Sequence, residues 1–161
     1  MSETKFYWKN VNLETIKTLI QTGADLNKKD IDGHTALISA SYNGKTKIVK
    51  ELIEAKVDLN LKSLNTYATA LICASSNGHT EIVKLLIEAK ADINKTNICG
   101  STALTIASSY HHTEIIKLLE EASKETLTKV DTKVKMNEFE TLKETLIRLE
   151  QKVDKLVSEK E

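Results

Sequence analysis

The sequence contains no proline and few aromatic residues, and each shortage excludes a class of structure. Without proline there are no proline-rich linkers or recognition tracts, and nothing interrupts a long helix. Phe, Trp and Tyr make up 4% of the chain, so the core must be built mainly from aliphatic side chains. Because 40% of the residues are nonetheless hydrophobic, the composition is that of a folded globular chain rather than a disordered one.

Neither sign of charge is in excess. Basic and acidic residues number 23 each, and the balance holds separately for residues 1–122, with 14 of each, and for residues 123–161, with 9 of each. A nucleic-acid-binding surface needs surplus positive charge to displace counterions from phosphates, and a polybasic membrane anchor needs it as well. We therefore expect no nucleic acid and no membrane among the partners.

Cysteines and long apolar runs are also scarce. Cys73 and Cys99 are too few for a disulfide framework. The opening residues MSETKFYWKN lack the apolar core of a signal peptide, and no run of about 18 apolar residues is present to span a bilayer. The sequence thus predicts a reduced, cytoplasmic protein.

The chain repeats itself at a regular interval. Segments 35–60, 69–94 and 102–122 superimpose, and their Thr-Ala-Leu starts are 34 and 33 residues apart. A partial copy at 13–27 matches the second half of the unit. Such a period is typical of proteins whose repeats bury a core only by stacking on their neighbours.

Each unit predicts two short helices. A threonine, Thr35, Thr69 or Thr102, is placed to cap the start of the first helix. An Asn-Gly dipeptide at 43–44 or 77–78 then ends it. The second helix carries apolar residues at positions i, i+1, i+4 and i+5, and a short extended stretch such as Ala-Asp-Ile-Asn follows.

These features resemble the ankyrin repeat family. The unit length, the Thr-x-Leu helix start, the Gly78-His79 turn and the Ala-Asp-x-Asn ending match it over residues about 1–122. The resemblance implies an all-α solenoid of helix–turn–helix repeats joined by hairpin-like loops. It places about four repeats, at about 1–30, 31–63, 64–96 and 97–122. It also implies a protein or peptide partner that docks on the loop tips and first helices.

Two departures from the family pattern carry structural expectations. The glycine that ordinarily ends the second helix is kept as Gly23 but is replaced by Lys56 and Lys90, which then need a positive φ. One additional residue lies between residues 60 and 69, so that loop is expected to bulge.

The two ends of the stack differ from its middle. An apolar position of the second helix becomes Glu120 in the last repeat, which suits a terminal unit with a polar outer face. At the other end, Phe6, Tyr7 and Trp8 are expected to lie in a first helix that caps the stack. An aromatic patch displayed for binding is the alternative.

From Ser123 the repeat stops and a different pattern follows. Residues 123–138 are expected to form a helical connector or a bend, and residues 139–161 a coiled-coil-like helix, since apolar residues alternate there at spacings of three and four. Self-association into a homo-oligomer is the expectation, and folding back onto the last repeat is the alternative. Helix orientation and copy number stay open. The predicted oligomer seam consists of Phe139, Leu142, Leu146, Leu149, Val153 and Leu156.

No arrangement of reactive side chains indicates catalysis. His79 and the pair His111-His112 occupy repeat turns, where structural hydrogen bonds are expected, and no metal-ligand spacing is found. Cys73 is expected to be buried and inert, whereas Cys99 lies in a loop. We therefore expect no enzyme, no catalytic residues, no metal and no cofactor.

The predicted partner-binding surface combines the resemblance with an internal comparison. Its positions differ among the repeats while core positions barely change, although unconstrained surface would vary in the same way. We interpret the protein as a non-enzymatic adaptor whose repeats bind a partner and whose tail multiplies the sites. A structural assembly module with the repeats as spacers is the alternative, and a regulatory fragment beside a separately encoded enzyme also stays open. The predicted surface residues are Ile31, Asp32, His34, Tyr42, Asn43, Asn65, Thr66, Ala68, Ser76, Asn77, Ile98, Cys99, Ser101, Ser109 and Tyr110.

Overall fold

The backbone is described for residues 8–158 in a computed structural model, and side chains are described there except for 127, 129–131 and 153–158. All regular secondary structure in this range is helical, and the range contains no strand, as predicted. A 3-10 turn at Trp8–Asn10 precedes seven α-helices. They are α1 (Leu13–Gln21), α2 (Ala36–Tyr42), α3 (Thr46–Glu54), α4 (Ala70–Ser76), α5 (Thr80–Glu88), α6 (Ala103–Ser109) and α7 (Thr113–Ser158).

The three predicted threonine caps are confirmed. The Oγ1 atoms of Thr35, Thr69 and Thr102 each accept a hydrogen bond, 3.3 Å long, from the backbone N–H three residues later. Each bond satisfies one of the amide groups that the first turn of a helix leaves without a partner. The first helices α2, α4 and α6 therefore begin at equivalent residues, and three repeats are set in register.

The core of the stack is almost entirely aliphatic. α2 and α4 are buried along nearly their whole length, because each packs between neighbouring helices. The second helices α3 and α5 bury three of the four positions of the predicted stripe, whereas the fourth, Ile53 or Ile87, is half-buried. Neither helix pair has an apolar face that it covers by itself, so burial depends on the next repeat. The buried stripe residues are Ile48, Val49 and Leu52 in α3, and Ile82, Val83 and Leu86 in α5.

Trp8 closes the first end of the stack. Its side chain is 6% exposed, its Nε1–H donates to the Lys28 carbonyl at 2.9 Å, and its backbone N–H donates to the Asp30 carboxylate at 2.9 Å. The cap is thus confirmed for Trp8, whereas the displayed aromatic patch is wrong for this residue. The expected first helix is a single 3-10 turn where described, and Phe6 and Tyr7 lie outside the described residues.

Asparagine side chains connect consecutive repeats after the second helices. The Asn27 carboxamide oxygen accepts the backbone N–H of Asp58 at 3.0 Å, and the Asn60 oxygen accepts that of Asp92 at 2.8 Å. The Asn of one Ala-Asp-x-Asn ending therefore bonds to the Asp of the next. This bond is the physical reason for the ending to recur. The last repeat lacks the ending, and no further repeat follows it to form such a bond.

The last repeat has a neighbour on one side only. Leu104 and Ile116 are half-buried, although the equivalent residues of the preceding repeat are fully buried, and Glu120 is exposed as predicted. α7 begins as the second helix of this repeat, burying Ile115 and Leu119. Residues 123–138 are helical within it.

The chain divides into two compact units, residues 1–122 and 123–161. Among the described residues, none of the helices combines the length and the apolar character that crossing a bilayer requires.

Lysine occupies a left-handed conformation at two helix ends. Lys56 has φ of 57° and Lys90 has φ of 68°, close to the 70° of Gly23 at the equivalent position, as predicted. A side chain bearing Cβ pays for this conformation with a clash against the following carbonyl. The additional residue of the 63–68 loop is accommodated in a similar way, since Tyr67 has φ of 54°.

Replacing Lys56 or Lys90 with glycine is expected to raise the free energy of unfolding by about 0.5–1 kcal/mol each, because glycine enters the left-handed region without a steric cost. Urea titration of the full chain measures the effect. Lys84→Gly, in the middle of α5, is the matched control and is expected to lower stability by about 1 kcal/mol. Lower stability of the first two variants would contradict the strain assigned to these positions.

Candidate functional site

A groove of about 650 Å³ runs across the repeats along one face of α2, α4 and α6 and the loops that precede them. α4 packs against α2 on one side and against α6 on the other, so the groove is continuous over three repeats. Its lining consists of Lys9, Asp32, His34, Ser39, Tyr42, Asn43, Asn65, Thr66, Ala68, Ile72, Cys73, Ser76, Asn77, Asn97, Ile106 and Tyr110.

Most of the predicted surface residues are brought together in this groove. Ala68 lines it but is buried, so it offers little area to a partner. Ile31, Ile98 and Cys99 are exposed on the loops and do not line the groove. The half-buried Ser101 and the exposed Ser109 at the end of α6 do not line it either. The residues placed in the groove are Asp32, His34, Tyr42, Asn43, Asn65, Thr66, Ala68, Ser76, Asn77 and Tyr110.

The groove floor contains a set of residues that the sequence prediction missed. Ser39, Cys73 and Ile106 occupy one repeat position. They lie one helical turn before the predicted residues 42–43, 76–77 and 109–110, which form the rim of the groove, and on the same helix face. A signal was present, because serine, cysteine and isoleucine differ among the repeats as strongly as the predicted positions do. Lys9, Ile72 and Asn97 were also missed.

Two tyrosines project at opposite sides of α4. Tyr42 at the end of α2 is 56% exposed, and Tyr110 after α6 is 58% exposed. The Tyr110 ring stacks on the imidazole of His112, with centroids 6.1 Å apart and planes inclined by 20°. Between the two tyrosines the lining mixes polar and apolar side chains.

Side-chain caps hold the loops that form one wall. Asp30 Oδ1 accepts the backbone N–H groups of Asp32 and His34 at 3.1 and 2.9 Å. Asn97 Oδ1 accepts those of Cys99 and Ser101 at 3.0 and 2.9 Å in the last repeat. Both are turns in which a short side chain substitutes for a backbone acceptor.

Backbone hydrogen bonds link successive loops. The Leu64 N–H donates to the Gly33 carbonyl at 3.1 Å, and the Ile98 N–H donates to the Thr66 carbonyl at 2.9 Å. The predicted bulge is present in the middle loop, because the bond that closes it joins residues 63 and 68, one residue further apart than in the other two loops.

Asp30, Asp32 and His34 place three potential metal-ligand atoms within 4.8 Å of one another. The Asp30 carboxylate already accepts three backbone N–H groups, and Asp32 lies 3.7 Å from the Lys9 ammonium. A cation would have to compete with these donors, so we assign the Asp30 carboxylate a structural role.

Histidines secure the ends of α2 and α4 to the repeat that follows each of them. The Nε2–H of His79 donates to the Tyr42 carbonyl at 3.1 Å, and His112 makes a longer contact of 3.4 Å with the Ser76 carbonyl. The structural role expected for the turn histidines is confirmed at these two. Gly44 must be glycine here, since a Cβ would come within 2.7 Å of the His79 ring and φ is 68°.

Cys73 lies in the groove floor but is not a reactive thiol. It is 9% exposed, and burial raises the pKa of its thiol to about 12. Desolvation disfavours the charged thiolate, and the thiolate is the nucleophilic form. The expected burial is confirmed, and Cys99 is exposed in its loop.

Alkylation is expected to distinguish the two cysteines. At pH 8, below the raised pKa of Cys73, iodoacetamide should modify Cys99 while Cys73 reacts at least about 100-fold more slowly. Peptide mass spectrometry of the full chain follows both sites, and the same reaction in 6 M guanidinium should abolish the difference. Equal rates in the folded protein would show that the groove floor opens freely to solvent.

Comparisons with known proteins agree with this repeat geometry. Ankyrin repeat and SAM domain-containing protein 6 of Rattus norvegicus is 39% identical over 56 residues, which is 34% of this chain and 6% of that protein. The protein of the same description from Mus musculus is 37% identical over 57 residues, or 35% of this chain and 6% of that protein. The chain thus spans a small fraction of the length of these curated relatives.

The family model for ankyrin repeats in three copies matches residues 7–97, more than half of the chain. Ankyrin repeats generally mediate protein–protein interaction, and their family is generally non-enzymatic. On the caps, the stacked helix pairs and this match, the chain belongs to the ankyrin repeat family.

Proposed function

We propose that the protein is a non-enzymatic adaptor that binds a protein or peptide segment in the groove along α2, α4 and α6. The observation that carries the proposal is the groove itself, about 650 Å³ and continuous over three repeats, with an exposed tyrosine on each outer repeat. A partner segment crossing it would touch both tyrosines.

Tyrosine is well suited to anchor such a segment. Its ring offers a large, amphipathic contact area and loses little conformational entropy, and tyrosines are frequent interface hot spots. Tyr42 and Tyr110 are both more than half exposed in the free protein, so a partner would gain most of their burial.

Asparagines between the tyrosines offer oriented amides. The Nδ2 of Asn43 donates to the Ser39 carbonyl at 2.8 Å, and that of Asn77 to the Cys73 carbonyl at 2.9 Å. Both side chains stay exposed, so each amide is held in one direction and faces a potential partner. Oriented amides favour a segment with its own backbone or side-chain hydrogen-bonding groups.

Charge in the groove is confined to a small part of the lining. The first two repeats contribute Lys9, Asp32 and His34, and the remaining lining residues are uncharged. We infer a partner segment that is polar or apolar rather than highly charged, because a strongly charged chain would find little compensation here.

The C-terminal helix is proposed to self-associate. Phe139, Leu142, Leu146 and Leu149 are each more than half exposed, and contiguous apolar surface of this kind is typical of association sites. The side chains of Val153 and Leu156 lie outside the described residues. Linked grooves would raise the apparent affinity for a multivalent partner by roughly 10²–10⁴ through avidity.

Groove binding is tested by peptide selection. Peptides of about 15 residues are selected from a random display library against the full chain, and their dissociation constants are measured by fluorescence anisotropy. Tyr42→Ala combined with Tyr110→Ala is expected to weaken them at least about tenfold, from the typical cost of removing anchors.

Tyr67→Ala is the matched control, since this tyrosine is half exposed and does not line the groove. Selected peptides that ignore the paired substitution would refute groove binding. A selection that yields no binders would favour the alternative, an assembly module whose repeats act as spacers.

Self-association is tested by size in solution. Sedimentation equilibrium of the full chain at tens of micromolar is expected to give a multiple of 18 kDa, and Leu142→Lys with Leu149→Lys is expected to give a monomer. Glu144→Lys and Lys133→Glu, on exposed helix positions outside the seam, should leave the size unchanged. A monomeric wild-type chain would refute the proposal.

A further inference from the structure

The apolar seam of α7 is flanked by charged residues whose net charge changes sign along the helix. Every described side chain from residue 132 to 152 is exposed, so Phe139, Leu142, Leu146 and Leu149 are presented together with the charges that flank them. The half of the seam at 138–146 carries three glutamates and one lysine, and the half at 147–157 carries three basic and two acidic residues. The two halves therefore have opposite net charge.

We propose that the seam pairs with the same helix of a second copy in antiparallel orientation. The inference rests on the self-association proposed above and specifies its partner and direction. In an antiparallel pair the acidic half of each helix faces the basic half of the other, whereas a parallel pair sets like against like.

The register that aligns the whole seam also aligns complementary charges. When all six seam positions are in contact, Leu146 lies opposite Leu149 of the second copy. Lys143 then lies within two residues, about 3 Å along the axis, of Glu150 in the second copy. The two-fold symmetry of such a pair produces this ion pair twice.

Apolar contact separates the antiparallel registers. A shift of seven residues in one direction sets Val153 and Leu156 opposite Lys135 and Thr132 of the second copy, so two of the six seam positions lose their apolar partner. This shift joins Glu138 to Lys152 but brings Lys143 beside Lys143 of the second copy, and a shift in the other direction brings the two Glu150 residues together. The register that aligns Leu146 with Leu149 keeps the whole seam in contact and is therefore favoured.

Parallel pairing fits the sequence less well. It would join Glu138 to Lys143 but place Glu150 beside Thr145. It would also stack the bulky Phe139 on Phe139 of the second copy. Parallel two-stranded coils typically have isoleucine or valine at the first seam position, whereas two of its three residues here are Phe139 and Leu146. In the antiparallel pair Phe139 meets the leucine position 156 instead.

Charge reversal at two exposed residues tests the orientation. Sedimentation equilibrium of the full chain is expected to show dimers that Lys143→Glu and Glu150→Lys each weaken about tenfold, since each turns two attractive pairs into two repulsive ones. The double variant should return to within about threefold of wild type. Glu144→Lys, on the helix surface away from the seam, controls for net charge.

The outcomes distinguish the antiparallel orientation from self-association itself. Parallel pairing predicts that Glu150→Lys is silent and that the double variant stays as weak as Lys143→Glu, which would overturn the antiparallel assignment while self-association stands. A wild-type monomer would overturn both.

Distance measurement supplies an independent readout. A spin label at residue 133, in a chain carrying Lys133→Cys, Cys73→Ala and Cys99→Ser, is expected to give a separation of roughly 45 Å in the antiparallel dimer, from the helical rise per residue. A separation below about 20 Å would indicate parallel helices and overturn the assignment.

Discussion

The structure depends on one constraint: a pair of short helices cannot bury its own apolar stripe. Val49, Val83 and their neighbours are fully buried because the next repeat covers them. Where no further repeat follows, the equivalent Ile116 is half-buried and Glu120 is exposed. The polar ties between repeats, from Asn27 to Asp58 and from Asn60 to Asp92, fix the spacing at which this covering occurs. The groove is a product of that spacing, since its two tyrosines belong to different repeats.

Local chemistry made the fold largely predictable from the sequence. A threonine directly before an apolar helix start is placed to cap that helix, and all three caps are formed. The alignment of Lys56 and Lys90 with Gly23 predicted their positive φ, because a left-handed residue is what ends such a helix. The first helix was predicted less well, since its described part, Trp8–Asn10, is a 3-10 turn in which the buried Trp8 indole helps to cover the end of the stack.

The candidate groove was only partly predictable, for a geometric reason. The family resemblance and the variation among repeats identified the rim, but a groove also has a floor, and Ser39 and Cys73 are nearly buried there. The same reasoning also selected Ile31 and Ile98, which are exposed on the loops and do not line the groove. The phase shift near residue 138 left a helical connector and a bend as alternatives, and the segment is helical. An α-helix is held by its backbone hydrogen bonds, so without glycine or proline it passes through a change of apolar phase unbroken.

The one-sided last repeat has a consequence for dynamics. Contacts in a stack are made between nearest neighbours, so a terminal helix pair opens at a lower free energy than a central one. α6 buries only Ala103 and Ala107, and it is followed at once by Tyr110, one of the two aromatic edges of the groove. The groove thus joins a well-supported side to a side that opens more readily. A ligand that contacts both sides must hold the less stable side closed, so its affinity depends on the free energy at which that side opens.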